Sequence, residues 1–148
     1  MTIEKQLNEL VASWSILYTK LHNYHWYVSG PTFFTLHAKF EELYTEASLH
    51  LDELAERILS RGEKPVATLK EQLHVSLVDE AKGTENASQM VQQIVKDFTT
   101  VKEASKKVMD AASEEGDDRT EDLLNGIIQS LEKHVWMLNA FLGDNPKE

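Results

Sequence analysis

The chain has 148 residues, no cysteine, and 15 Lys and Arg against 25 Asp and Glu, giving a net charge of −10. Without cysteine there can be no disulfide framework, thiolate metal site or cysteine nucleophile, while a hydrophobic share of 41% is enough for a core and excludes a disordered chain. The acidic balance disfavours phosphate binding by bulk charge, which needs clustered Lys and Arg, and favours attraction of cations.

In chain order, Gly30-Pro31, Gly62 with Pro65, Gly83, Gly116, and Gly143 with Pro146 act as helix stop signals. They divide the chain into pieces near 1–29, 32–61, 66–82, 84–115 and 117–142. The first piece has Leu7, Leu10, Val11, Trp14, Leu17, Tyr18, Leu21, His25 and Val28 at helical spacing. The second has Leu36, Phe40, Leu43, Ala47, Leu51, Leu54 and Ile58. A short periodic stretch, Leu69, Leu73 and Leu77, predicts a small helix in the long connection that follows. The fourth piece repeats the pattern with Val91, Ile94, Phe98, Val101, Ala104, Val108 and Ala112. The last does so with Leu124, Ile127, Ile128, Leu131, Val135, Leu138 and Leu142. Strand signals are nearly absent. The expected fold is all-α: a ferritin-like four-helix bundle, a single domain over 1–148, with a short helix in the crossover between the second and third long helices.

No segment reads as a membrane span. The longest stretch without Asp, Glu, Lys or Arg, Leu21 to Ala38, contains three His and Gly30-Pro31. The first residues have no apolar signal core, so a cytoplasmic protein is expected.

The second helix holds the informative side chains. His37 and Glu41 are four apart, as are Asp52 and Glu56. At about 100° per residue, with His37 at 0°, Glu41 lies near about 40°, Asp52 near about 60° and Glu56 near about 100°, roughly 130° from the apolar stripe. A solvated charged face is the simplest reading of such a pattern. Against it, Lys and Arg are missing from the middle of this face, and small Thr45 and Ser48 lie between the acidic pairs.

The two pairs are about 22 Å apart along one helix, too far to share an ion. Two copies of the helix packed antiparallel about a two-fold axis would bring them together, because the four positions are symmetric about a centre between Glu46 and Ala47. His37 and Glu41 of one chain would then face Glu56 and Asp52 of the other, twice per dimer. Three carboxylates and an imidazole suit Fe(II), Mn(II) or Zn(II). His25 continues the apolar stripe of the first helix and reads alone as a boundary histidine. The turn at Gly30-Pro31 makes its approach to His37 geometrically feasible.

The combination His25-Trp26, His37-x-x-x-Glu41 and Asp52-x-x-x-Glu56, with the closing Glu132-Lys133-His134-Val135-Trp136-Met137, resembles the Dps family of mini-ferritins over essentially the whole chain. Glu41 stands where many members have Asp. The resemblance implies a ferroxidase that oxidises Fe(II), usually preferring H2O2 to O2, and stores ferric mineral inside a hollow dodecamer. It implies metal ligands at His25, His37, Glu41, Asp52 and Glu56, two iron ions per intersubunit site, and a possible electron-transfer role for Trp26. Glu71-x-x-His74 in the crossover is a single Glu-x-x-His instance and is expected at the surface, so a di-iron centre within one bundle is disfavoured.

Before the last helix, Glu114 to Asp122 is acid-rich. Acids at a helix N-terminus complement its dipole. Asp118 and Asp122 share a face, and the resemblance implies that they line a pore admitting iron to the cavity. Some family members bind DNA through Lys-rich extensions. Here the N-terminal segment offers only Lys5, and Gly143 to Glu148 is not basic, so weak or absent DNA binding is expected. The alternative reading is a DNA-compacting nucleoid structural protein with secondary iron chemistry.

Overall fold

In the computed structural model, residues 1–143 are described; the C-terminal segment expected to be non-basic lies, from Asp144 on, outside the described residues. The described residues form α1 (Ile3–Tyr27), α2 (Phe33–Ser60), α3 (Leu69–Val75), α4 (Ala87–Glu114) and α5 (Asp118–Phe141), with no strand among them. They fall into two units, Met1–Thr84 with α1 to α3 and a second from Glu85 with α4 and α5. None of the helices is long and apolar enough to cross a membrane.

In the first unit, α1 starts at Thr2, whose side chain accepts from the Lys5 N–H. It is buried on every side from Leu10 to Leu17. Its two interior serines, Ser13 and Ser15, therefore need hydrogen-bond partners inside the protein. Ser13 Oγ donates to the Glu9 carbonyl at 2.7 Å and accepts from the Leu77 N–H at 2.9 Å. Ser15 Oγ donates to Gln72 Oε1 at 2.6 Å, and Gln72 Nε2 donates to the Val66 carbonyl at 3.1 Å. These bonds fasten α3 to α1. The periodic leucines of α3 point elsewhere: Leu69 is 75% exposed, while Gln72 is buried. A polar side chain can take the inner position because both ends of its amide find partners.

Helix α1 ends before Pro31, whose ring disfavours helical backbone at the preceding residue, and Gly30 adopts φ 104° to make the turn. Helix α2 then buries Leu36, Phe40, Leu43, Ala47, His50, Leu54 and Ile58. His50 takes the inner place beside Leu51, which is half-buried. Its Nε2 meets Glu46 Oε2 at 3.1 Å and its ring lies 4.7 Å from Trp14.

In the second unit, α4 opens with a capping box in which Asn86 and Gln89 satisfy each other's backbone N–H groups. Helix α5 buries Leu124, Ile127, Ile128, Leu131, His134 and Leu138. His134 is buried here, whereas the expected Val135 and Leu142 are only half-buried.

Candidate metal centre

His25 sits in the last turn of α1 and His37 in the second turn of α2, joined by the Gly30-Pro31 turn. The turn brings the two imidazoles face to face, with ring centroids 3.7 Å apart and planes 14° from parallel. Each ring is tied to the other residue's backbone. His25 Nδ1 lies 2.6 Å from the His37 carbonyl oxygen, and His37 Nδ1 lies 2.7 Å from the His25 carbonyl oxygen. A carbonyl only accepts, so each Nδ1 carries the proton and donates. In the neutral imidazole that leaves the lone pair on Nε2, which is the form that binds a divalent ion.

Helix α2 places Glu41 one turn beyond His37, with its Oε1 3.9 Å from His25 Nε2. That is too long for a hydrogen bond. It matches two donors flanking one ion, since atoms about 2.1 Å from a shared metal lie roughly 3–4 Å apart. His25 is buried, His37 half-buried, and the Glu41 side chain 60% exposed. Phe33 stacks on the outer face of His37 at 4.9 Å, which limits its rotation.

Asp52 and Glu56 are exposed further along α2, and their side chains make no hydrogen bond or ion pair with the described residues. Among the described residues, no three His, Cys, Asp or Glu side chains converge to hold an ion. Within one chain only His25 Nε2 and Glu41 Oε1 lie at ligand-to-ligand distance, with His37 stacked beside them and the two carboxylates of Asp52 and Glu56 further along the same helix.

Trp26 does not touch His25 with its ring. It is 67% exposed and packs 5.3 Å from His22. The ring that joins His37 in contact with His25 is Tyr44, edge-on at 5.3 Å. Tyr44 also stacks on His22 at 3.7 Å and meets Tyr18 at 6.1 Å. Desolvation pushes the Tyr44 phenol above its ordinary 10.0, with the Glu41 carboxylate and Tyr18 adding to the effect. Tyr44 is not among the residues that the sequence pattern singles out. Its spacing of three from Glu41 was the available signal.

In the second unit, Asp117 is engaged by the helix cap, accepting from the Thr120 N–H at 3.2 Å and from Thr120 Oγ1. Asp118 and Asp122 remain exposed on the first turns of α5. Glu71 and His74 are both exposed on α3.

Comparison with known proteins places these features in a family. Residues 4–147 match the ferritin family, described as a ferritin-like domain. The chain is 58% identical over 136 residues to DNA protection during starvation protein 2 of Bacillus anthracis, covering 92% of this chain and 93% of that protein. The crystal structure of Dps from Staphylococcus aureus superposes with a TM-score of 0.94 at 49% identity, covering 97% of this chain and 96% of that one. The chain belongs to the Dps family of ferritin-like proteins.

A Dps protein from Vibrio cholerae, 36% identical with a TM-score of 0.92 over 95% of this chain and 88% of that one, is described as a member of a broad superfamily of ferritin-like diiron-carboxylate proteins. The all-α Dps fold, with four long helices and a short one between the second and third, is the one expected from the sequence.

Proposed function

We propose that the chain is a ferroxidase and iron-storage subunit working at a site shared by two copies. His25, His37 and Glu41 of one chain, with Asp52 and Glu56 of its two-fold mate, would hold two Fe(II) ions as substrate. The carrying observation is the paired imidazole arrangement, in which both Nδ1 protons are committed to backbone carbonyls. Each Nε2 is thereby preset as a ligand, with Glu41 at ligand-to-ligand distance. Asp52 and Glu56 supply the complementary half of the shell without competing partners, and hard carboxylates with imidazole suit Fe(II).

Paired Fe(II) ions supply two electrons to one oxidant molecule. In this reading H2O2 is preferred over O2, and the ferric product accumulates inside a hollow homo-dodecamer in the cytoplasm, limiting oxidative damage. Asp118 and Asp122 would ring a pore and concentrate Fe(II) on its way in. DNA binding is weak or absent, because a net charge of −10 per chain opposes phosphate contact. That charge weighs against a nucleoid-compacting role as the primary one.

The test is stopped-flow oxidation of Fe(II) by H2O2 and by O2 in wild type and in Asp52→Ala/Glu56→Ala. A two-metal site predicts about two Fe(II) consumed per H2O2. The double variant should lose the rapid phase by at least about 10–100-fold, with the assembly size unchanged on size-exclusion chromatography. An unchanged rapid phase would refute the site.

A further inference from the structure

Tyr44 occupies an unusual place for a residue on a polar helix face. Its ring meets His25 edge-on at 5.3 Å and stacks on His22 at 3.7 Å with planes 17° from parallel. His22 is fixed in turn, its Nδ1 donating to the Tyr18 carbonyl at 2.8 Å. Trp26 touches only the far end of this group, through His22. The nearest oxidisable ring to the imidazole pair is therefore the phenol.

We propose that Tyr44 is a one-electron donor for the ferrous site, used when a single Fe(II) is bound. The proposal rests on the iron-oxidising reading above. A lone Fe(II) supplies one electron, but cleavage of the O–O bond of H2O2 to two waters needs two. With Tyr44 in contact with a ligand, H2O2 takes one electron from Fe(II) and one electron with the phenolic proton from Tyr44. A proton from solvent completes two water molecules, leaving Fe(III) and a neutral tyrosyl radical. A second Fe(II) then reduces the radical, and the phenol recovers its proton from solvent. No hydroxyl radical leaves the site in this sequence.

The environment fits the role. A phenol carries its proton at neutral pH, so Tyr44, in ring contact with His25, gives up electron and proton together. Stacking on His22 covers one ring face and slows reaction of the radical with other molecules. His22 and Trp26 offer an outward route for the hole if no second Fe(II) arrives.

The experiment loads the assembled protein with one Fe(II) per site, adds H2O2, and freezes the sample for electron paramagnetic resonance. Wild type, Tyr44→Phe, Tyr18→Phe and Trp26→Phe are compared. Phe keeps the ring contacts of Tyr44 and removes only the hydroxyl. Wild type should give a tyrosyl signal that Tyr18→Phe and Trp26→Phe retain and Tyr44→Phe loses, with more spin-trapped hydroxyl radical in Tyr44→Phe. A tyrosyl signal undiminished in Tyr44→Phe, or no tyrosyl signal in wild type, overturns the proposal. Calorimetric Fe(II) binding under anaerobic conditions separates the two claims. Binding without a radical removes the role of Tyr44 and leaves the iron site standing, whereas absence of binding removes both.

Discussion

Replacing His37 or His25 with Ala tests how the imidazole pair is held. His37→Ala deletes the Nδ1 bond to the His25 carbonyl, worth about 0.5–1.5 kcal/mol net. It also deletes the contacts with Phe33 and His25, worth about 0.5–1.5 kcal/mol. The expected loss of stability is about 1–3 kcal/mol. His25→Ala should cost at least as much, because the more buried ring leaves the His37 carbonyl without its donor. The informative quantity is the coupling between the two. Each ring is anchored to a backbone oxygen, which Ala retains, so removing one imidazole leaves the other's hydrogen bond in place. Only the ring stack is shared, and the double-mutant cycle should return about 0.5–1.5 kcal/mol. The assay is urea unfolding of metal-free protein at one fixed protomer concentration, since self-association shifts apparent stability. Titration with Co(II) follows binding in parallel, and each single variant should retain a weakened site. A coupling energy above about 3 kcal/mol, the upper end for contacting residues, would show that the rings depend on one another and that the backbone anchors are not what orients them.

Two further outcomes follow from the same geometry. Ser15→Ala leaves Gln72 Oε1 buried without its donor and should cost about 1–3 kcal/mol. The loss should appear first as faster amide hydrogen exchange in α3, and equal slow exchange in both proteins would show that α3 is held by other means. Tyrosine absorbance of metal-free protein against pH should contain a late-ionising component that shrinks in Tyr44→Phe. A raised folded pKa means that the native state keeps its proton longer than the unfolded chain, so this group's stabilising contribution is complete below the ordinary value of 10.0 and is lost as pH rises through the folded pKa. A late component of unchanged size in Tyr44→Phe would contradict this.

The helices and the order in which they occur were legible in the chain because their signals are local. Glycines and prolines at 30–31, 62–65, 83 and 116 mark the breaks, and four long stretches keep a helical apolar period between them. The placement of His37, Glu41, Asp52 and Glu56 along one surface of α2 follows from the helical repeat and needed no tertiary information. Periodicity was less informative where a polar residue finds internal partners. Gln72 took an inner position beside Leu73 because hydrogen bonds to Ser15 and Val66 offset the cost of burying it, and His50 took one beside Leu51 with its Nε2 against Glu46 and its ring against Trp14.

The sequence by itself determined which residues share a helix face and where each helix stops, since both depend on neighbours within a few positions. Only the tertiary structure decided that each imidazole donates to the other's carbonyl across twelve residues of chain, and that Tyr44 rather than Trp26 lies against His25. The direction in which a ring points depends on which atoms another helix brings beside it, and no repeat along a single helix encodes that.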